Sequence, residues 1–300
     1  MSNRSVHEGI VVGVDGSPSS DMAVRWAARE AGMRNVPLSI VHVIERPPWG
    51  MVALGGGAVP PPSEINEWRK AEGEDIISAA VELAKDSVQN GTLPQLHVEV
   101  YFSATGPALF DLSTHAQMIV VGCRGHGRLG RVLLGSVSTG LIHHAHCPVA
   151  VIHDEIPVAS QPSQLPVVVG IDGSPASELA TAIAFDEASW RGVELIALHA
   201  WSDAHVSDIP SIEWSAQQAV GEEALAERLA GWRERYPDVA VRRRIVLDAA
   251  ARHLLEEAES SQLLVVGSRG RGGFSGMLLG SVSTAVAQAA RVPVIVARHQ

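Results

Sequence analysis

A long internal repeat dominates this sequence. Residues 9–17 read GIVVGVDGS and recur as VVVGIDGS at residues 167–174. Residues 118–140 read MIVVGCRGHGRLGRVLLGSVSTG and recur as LLVVGSRGRGGFSGMLLGSVSTA at residues 263–285. Because both stretches recur in the same order, the chain is predicted to contain two tandem copies of one structural unit.

The repeat also indicates the domain boundaries. We predict a first domain over residues 1–153, a second over residues 166–300, and between them a linker, residues 154–165, rich in proline and serine. The first copy is longer in its middle, where residues 47–62 are rich in glycine and proline, a composition typical of a loop. Such a loop is either a lid over a binding site or a surface loop without a role.

Charge and cysteine content restrict the partners and the compartment. The formal net charge of −10 disfavours a nucleic-acid partner, because no basic stripe is present to neutralise phosphates. The two cysteines, Cys123 and Cys147, offer no disulfide framework, which is typical of a reducing compartment. The N-terminal residues lack the apolar core of a signal peptide, and the apolar runs are too short to span a bilayer. We expect a cytoplasmic protein that binds neither membrane nor nucleic acid.

Hydrophobic periodicity predicts an α/β fold. Buried-type apolar runs alternate with amphipathic stretches, and in the first copy we predict strands over 9–14, 38–44, 96–102, 117–121 and 148–152, with helices over 64–89, 107–115 and 137–145. Alternating strands and helices with right-handed crossovers predict two tandem doubly wound, five-stranded parallel-sheet domains of Rossmann-like type. Such sheets bind ligands at the carboxyl ends of the strands where the winding direction reverses.

A glycine-rich loop follows the fourth strand of each copy. The pattern G-x2-G-x9-G-S is formed by Gly122, Gly125, Gly135 and Ser136, and again by Gly267, Gly270, Gly280 and Ser281. Glycine permits a positive φ and lets backbone N–H groups approach an anion. The serine begins a helix, whose N-terminal N–H groups and dipole attract phosphate. Two loops of identical spacing therefore predict two phosphate sites.

Three other ligand-binding motifs receive little or no support from the sequence. Residues 125–130 (GHGRLG) match the dinucleotide motif G-x-G-x-x-G but follow the fourth strand rather than the first. The P-loop pattern G-x4-G-K-[ST] does not occur in the sequence. His143, His144, His146 and Cys147 are residue types that bind metals, but the second copy does not repeat them, which favours histidines at a helix end.

Asp15 and Asp172 follow the first strand of their copies. Each carboxylate either hydrogen-bonds a ribose or an adenine, or holds Mg²⁺, or caps the Gly-Ser-Pro turn that follows it. The position at the carboxyl end of a strand favours a ligand. Gly13 and Gly170, two residues earlier, indicate a close approach by a ligand or another backbone.

On these motifs the chain resembles the universal stress protein family, over its whole length apart from residues 47–62 and the linker. It looks like a tandem-domain member of actinobacterial type, and G-x2-G-x9-G-[ST] marks the ATP-binding subgroup of the family. The resemblance implies two ATP sites, and the aspartates after the first strands lead us to expect Mg²⁺ as a companion ion. Family domains usually pair through their fifth strands. This implies a pseudo-dimer within the chain, between residues 148–152 and 293–297, or a homodimer of whole chains.

The resemblance also implies the site residues. In relatives, the aspartate after the first strand and the residue after the histidine of the second strand contact the adenosine. These are Asp15 with Val43 and Asp172 with Ala200, and Asp203 lies within reach of a ribose. The implied phosphate-binding residues are Gly122, Cys123, Arg124, Gly125, His126, Gly127, Arg128, Gly135, Ser136 and Val137, and in the second copy Gly267, Ser268, Arg269, Gly270, Arg271, Gly272, Gly273, Gly280, Ser281 and Val282.

Three functions remain as hypotheses. The leading one is an ATP-binding regulator of a stress or dormancy response, which signals to an unidentified protein partner through its nucleotide-loaded state. The alternatives are a slow Mg-dependent ATPase or nucleotide-transfer enzyme using Asp15 or Asp172, and a scaffold that uses ATP only for stability. His126 corresponds to Arg271 in the second copy, which argues against a shared catalytic histidine.

Overall fold

The computed structural model describes residues 9–45, 62–88, 92–125, 134–153, 164–201, 211–270 and 279–298. The predicted loop over residues 47–62 therefore lies outside the described residues except for Pro62, and so do residues 154–163 of the predicted linker. Among the described helices, none is both long and apolar enough to cross a membrane.

Strands and helices alternate through both copies. The first copy contains β1 (Ile10–Val14), α1 (Pro18–Arg34), β2 (Leu38–Ile44), α2 (Pro62–Asp86), β3 (Leu96–Phe102), α3 (Thr105–Ser113), β4 (Met118–Gly122), α4 (Ser136–His144) and β5 (Val149–Ile152). The second copy contains β6 (Val167–Gly170), α5 (Pro175–Arg191), β7 (Leu195–Ala200), α6 (Ser211–Arg235), β8 (Val241–Val246), α7 (Ala250–Ala258), β9 (Leu263–Gly267), α8 (Ser281–Ala289) and β10 (Val294–Ala297). The predicted bounds of β2 and β3 are confirmed, whereas α2, α3 and α4 begin slightly earlier than predicted.

The two copies share one ten-stranded sheet, with strand order β3-β2-β1-β4-β5-β10-β9-β6-β7-β8. Within each copy all strand pairs are parallel, which confirms the predicted fold class. The copies join through β5 and β10, which pair antiparallel. β1 lies beside β4, and β6 lies beside β9. These two neighbouring pairs are where the winding direction reverses.

Both faces of the sheet are covered by helices. One apolar cluster contains Ile10 and Val12 of β1 together with residues of α1, α2 and α5, and it extends across both copies. The other cluster contains Val11 of β1 together with residues of α3, α4, α7 and α8. Ile10, Val11 and Val12 are all 0% exposed. A fully buried side chain of this kind contributes about 1.5–3 kcal/mol, which explains why β1 is a continuous apolar run.

α1 and α5 begin and end in equivalent ways. Ser17 caps α1 by accepting a hydrogen bond from the Ser20 N–H, and Ser174 caps α5 by accepting one from the Ser177 N–H. α1 ends at Asn35 (φ 53°) and α5 at Gly192 (φ 63°), both in the left-handed conformation that terminates many helices. Because each helix connects the end of one strand to the start of a parallel neighbour, it runs from the carboxyl edge of the sheet to the opposite edge.

The last turns of α1 and α5 meet in a buried charge cluster of Glu30, Arg34, Glu187 and Arg191. Glu30 accepts hydrogen bonds from Arg34 Nε at 2.6 Å and from Arg191 Nη2 at 2.7 Å. Glu187 forms ion pairs with both arginines. The glutamates are 0% exposed, so each carboxylate depends on one arginine of its own copy and one of the other.

The pKa values of the two glutamates move in opposite directions. Burial raises the pKa of Glu187 to about 8, because desolvation and the facing charge of Glu30 outweigh the attraction of Arg191 and Arg34. Burial also raises the pKa of Glu30, but the positive charges of Arg191 and Arg34 outweigh this effect and lower that pKa to about 2.

Replacing Arg191 by methionine is expected to destabilise the protein by about 3–5 kcal/mol, because the buried side chains of Glu30 and Glu187 both lose a cationic hydrogen-bond donor. Denaturant unfolding measures the change. Arg252→Met is the matched control, since Arg252 pairs with Glu256 at 3.6 Å while its side chain is 64% exposed. The control is expected to cost about 0–1 kcal/mol. Equal losses in the two variants would show that the charge cluster does not hold α1 and α5 together.

The raised pKa of Glu187 predicts a pH dependence of stability. Its contribution is complete below the unfolded-state pKa of an ordinary glutamate and is lost as pH rises through about 8. The unfolding free energy is therefore expected to fall between about pH 5 and pH 9. Glu187→Gln keeps a neutral side chain of the same shape, so its stability should depend less on pH in that range. Parallel curves for the two proteins would contradict the assignment.

Candidate functional site

The loops after β1 and β4 meet at the carboxyl edge of the sheet, and so do the loops after β6 and β9. Val14 pairs in register with His42, so Asp15 and Val43 follow at the same edge, beside Gly122 at the end of β4. Gly170 pairs with Leu198, which brings Asp172 and Ala200 to the equivalent edge of the second copy. Val43 and Ala200 are half-buried and pack partly against apolar residues of the core.

Asp15 caps the turn that follows it, which was one of the alternatives in the sequence. Its Oδ1 accepts hydrogen bonds from the Ser17 N–H at 3.0 Å and from the Ser17 hydroxyl at 2.6 Å. Asp172 Oδ1 accepts from the Ser174 N–H at 2.8 Å. In each copy the other carboxylate oxygen, Oδ2, lies against the second glycine of the glycine loop, Gly125 or Gly270. The capping role therefore uses one oxygen and directs the other toward the loop.

Serine hydroxyls tie each Asp-Gly-Ser turn to the neighbouring glycine loop. In the first copy, the Ser19 hydroxyl donates to the backbone carbonyl of Arg124, and the Ser17 hydroxyl, which donates to Asp15, lies 3.4 Å from the same carbonyl. In the second copy, Ser174 donates to the carbonyl of Arg269 at 3.0 Å. These contacts hold two loops from distant parts of the sequence in one fixed arrangement.

The first glycine of each loop is required by a close backbone approach. A Cβ on Gly122 would lie 2.7 Å from the carbonyl carbon of Ser19, and a Cβ on Gly267 would lie 2.8 Å from that of Ala176. Both neighbours belong to the first turns of α1 and α5. The strand end and the helix start can approach this closely only if the strand ends in glycine.

The second glycine makes room for the aspartate. A Cβ on Gly125 would lie 2.5 Å from Asp15 Oδ2, and a Cβ on Gly270 would lie 2.6 Å from Asp172 Oδ2. Glycine permits a positive φ, but the described glycines of these two loops do not adopt one. Positive φ instead occurs in the Asp-Gly-Ser turns, at Gly16 (79°) and Gly173 (81°). The loop glycines are explained by close contacts rather than by backbone conformation.

The helices after the loops begin without a side-chain cap. Gly135 is the N-cap of α4 and Gly280 is the N-cap of α8, and neither helix has a side-chain cap or an acidic residue in its first turn. Gly135 N–H donates to the carbonyl of Cys123, and Gly280 N–H to that of Ser268, both at 2.8 Å. Ser136 and Ser281 are therefore presented at helix N-termini that are fixed against the loop, a geometry that favours an anion.

Two pairs of predicted contact residues are engaged in packing within the protein. Cys123 and Ser268 are 5% and 7% exposed, and their backbone N–H groups already donate to the carbonyls of Ile152 and Ala297. The Cβ directions of Gly13 and Gly170 face apolar side chains: Leu109 and Val121 at 3.4 Å, and Leu254 at 3.1 Å. The sequence predicted a close approach there by a ligand or another backbone, and in the structure the nearest atoms are side chains of α3, β4 and α7.

The histidines of β2 and β7, for which the sequence predicted no role, are hydrogen-bonded to the ends of the first strands. His42 Nδ1–H donates to the carbonyl of Val14 at 2.8 Å, and His199 Nδ1–H donates to that of Ile171 at 2.6 Å. Because a carbonyl only accepts, Nδ1 carries the proton in both rings. Each histidine fixes the strand end that carries the aspartate, and its recurrence in both copies was the signal available in the sequence.

Several predicted site residues lie outside the described part of the chain: His126, Gly127, Arg128, Asp203, Arg271, Gly272 and Gly273. Among the described residues, no three histidine, cysteine, aspartate or glutamate side chains are grouped in a way that could hold a metal ion. His143 and His144 lie in the last turn of α4, the position expected for histidines at a helix end.

Comparison with known families identifies the two copies. A family model described as the universal stress protein family matches residues 8–153 and residues 165–298. The chain is 52% identical over 301 residues to a universal stress protein of Mycobacterium tuberculosis, covering 100% of this chain and 99% of that protein. It is also 52% identical over 304 residues to one from Mycobacterium bovis, covering both chains completely.

A solved structure has the same fold. The crystal structure of a universal stress protein from Archaeoglobus fulgidus matches with a TM-score of 0.70 and covers 98% of this chain and 99% of that one. The sequences are 18% identical, so the match concerns the architecture of both copies and not the details of their sites.

The contact at Gly122 predicts a stability effect. Gly122→Ala is expected to destabilise the protein by about 1–3 kcal/mol, because the new methyl group overlaps the backbone of α1. The matched control is Gly231→Ala in α6, where a Cβ has nothing within 4 Å. Alanine there should stabilise the helix by about 0.5–1 kcal/mol. Chemical denaturation that finds no loss in Gly122→Ala would refute the close approach.

Proposed function

The chain belongs to the universal stress protein family, and from that premise we propose that it binds ATP at two sites and acts as a cytoplasmic regulator of a stress or dormancy response. The ATP sites are the carboxyl edges of β1 and β4 and of β6 and β9. The nucleotide-loaded form is the one that signals to a protein partner, and the two joined copies act as a pseudo-dimer.

The observation that carries this proposal is the same arrangement in both copies. In each copy a serine hydroxyl, from the Asp-Gly-Ser turn or from the first turn of the helix after it, donates a hydrogen bond to the glycine loop, and the loop leads to a helix whose N-terminus has no side-chain cap. A phosphate at such a terminus gains about 0.3–1 kcal/mol from the dipole, and each charge-assisted hydrogen bond adds about 1.5–3 kcal/mol. A few such bonds reach the roughly −8 kcal/mol of micromolar affinity, against the unfavourable field of a chain with net charge −10.

Magnesium fits the site as a companion of the phosphates. Mg²⁺ is commonly held by one or two carboxylates together with phosphate oxygens and water. Each site offers one carboxylate, Asp15 or Asp172, whose Oδ2 lies beside the glycine loop. The bound ion would neutralise phosphate charge, while Ser17 and Ser174 keep the carboxylates in place.

Retention of ATP is favoured over its hydrolysis. Oδ1 of each aspartate already accepts hydrogen bonds from the following turn, which holds the carboxylate as a structural and binding group. The side chains of Cys123 and Ser268 are buried and are not positioned to attack a phosphate. These features support a protein that senses ATP through occupancy.

Calorimetry with MgATP tests the proposal. The native chain is expected to bind two equivalents with roughly micromolar affinity, and mass spectrometry should detect adenine nucleotide released from the purified protein. Gly125→Ala and Gly270→Ala should each lower the affinity of one site about tenfold or more, because the methyl group displaces the aspartate carboxylate. Gly231→Ala is the control and should bind like the native chain.

Thermal melting supplies an independent measurement. MgATP at about 100 times its Kd should stabilise the native chain by about 2.7 kcal/mol at each site. A native chain that neither binds MgATP in calorimetry nor melts at a higher temperature with it would exclude this function.

A further inference from the structure

The second site contains an arginine that the first site lacks. The guanidinium of Arg228, on α6, occupies the space where a Cβ on Gly173 would lie, immediately after Asp172. Arg228 is held there by its neighbours on α6, because Leu225 and Leu229 are 1% and 0% exposed in the core. A stacked contact between Trp232 and Phe185, with ring centroids 5.8 Å apart, fixes α6 against α5.

One nitrogen of this guanidinium is buried without a partner. Nη1 of Arg228 has no hydrogen-bond acceptor among the described residues. Buried donors of a charged group are normally paired, since leaving one unsatisfied carries a large desolvation cost. Arginine stays protonated at all ordinary pH values, so it cannot avoid this cost by losing its proton.

The surroundings of Arg228 favour an anion. Gly173 directly precedes Ser174, the N-cap of α5, so the guanidinium lies beside the positive end of that helix. Ser174 also donates to the carbonyl of Arg269 in the glycine loop, which places the arginine against the same turn that the loop contacts. The guanidinium and the start of α5 therefore lie at the Asp-Gly-Ser turn of the proposed site, which also carries the carboxylate of Asp172.

The first copy has alanine at the equivalent position. The buried residues Gly73 and Ile77 of α2 correspond to Gly221 and Leu225 of α6, and the same spacing places Ala80 opposite Arg228. Ala80 is 3% exposed, and its neighbour Ala79 is uncharged as well. At this position the two sites therefore differ by one cation.

We propose that Arg228 binds an anionic phosphate oxygen of the nucleotide in the second site, and that this site consequently prefers phosphorylated nucleotides over nucleosides more strongly than the first. The proposal rests on the nucleotide-binding function proposed above. Charge-assisted hydrogen bonds to a guanidinium are the interactions that best satisfy a buried arginine. ATP and AMP supply such an oxygen, whereas adenosine does not.

Calorimetry on the full chain with Gly125→Ala tests this, because that substitution weakens the first site and leaves the second to be measured. Adding Arg228→Met is expected to weaken ATP and AMP binding about tenfold or more and to leave adenosine binding unchanged. Arg228→Lys should recover part of the lost affinity, since it restores the charge. Arg233→Met is the matched control, because Arg233 is an exposed arginine on the same helix, and it should change nothing.

Melting without ligand separates binding from folding. Because Nη1 has no hydrogen-bond partner in the part of the chain that the structure describes, Arg228→Met should not lower the melting temperature of the ligand-free chain. If Arg228→Met still binds ATP with unchanged affinity, the role of Arg228 is overturned while the nucleotide-binding function stands. An equal loss for adenosine and ATP would overturn the assignment to a phosphate oxygen. A native chain that binds no nucleotide at all would instead exclude the function proposed in the preceding section.

Discussion

The antiparallel pairing of β5 with β10 determines how the rest of the molecule is arranged. Val294 pairs with Val151 and Ile295 with Ala150, and all four side chains are 0% exposed. Among the described strands, every other pair is parallel and the strand order is symmetric about this junction, which therefore relates the copies by an approximate twofold axis. The axis brings α1 and α5 together, and only then does each buried glutamate gain its second arginine. Separated copies would expose an apolar strand and leave buried carboxylates with a single counter-ion.

Features that depend on local sequence were predicted well. β2 has the expected bounds because a short apolar run specifies a buried strand, and β3 because its mixed apolar and polar residues specify a partly exposed strand. The convergence of the two loops was also predictable, since the parallel topology brings the carboxyl ends of neighbouring strands to one edge. The internal repeat supplied a second, independent copy of each observation.

Features that depend on tertiary contact were not predictable. Nothing in the loop sequence shows that Gly122 is required by the backbone of Ser19, because that contact joins residues far apart in the chain. Glu30 and Arg34 are four residues apart on a helix, which is the usual pattern of an exposed ion pair. Their recurrence as Glu187 and Arg191 was a usable signal, but burial became evident only from the packing of α1 against α5.

The covalent connection between the copies has an evolutionary consequence. In a dimer of identical chains every substitution appears twice, so the two sites must remain the same. Here the paired halves are separate segments of one chain, and a mutation alters one half while the other keeps its residue. Ala80 and Arg228 occupy equivalent positions and differ in this way. The protein can thus acquire unequal sites without losing the symmetric sheet that joins them, and dilution cannot separate the halves.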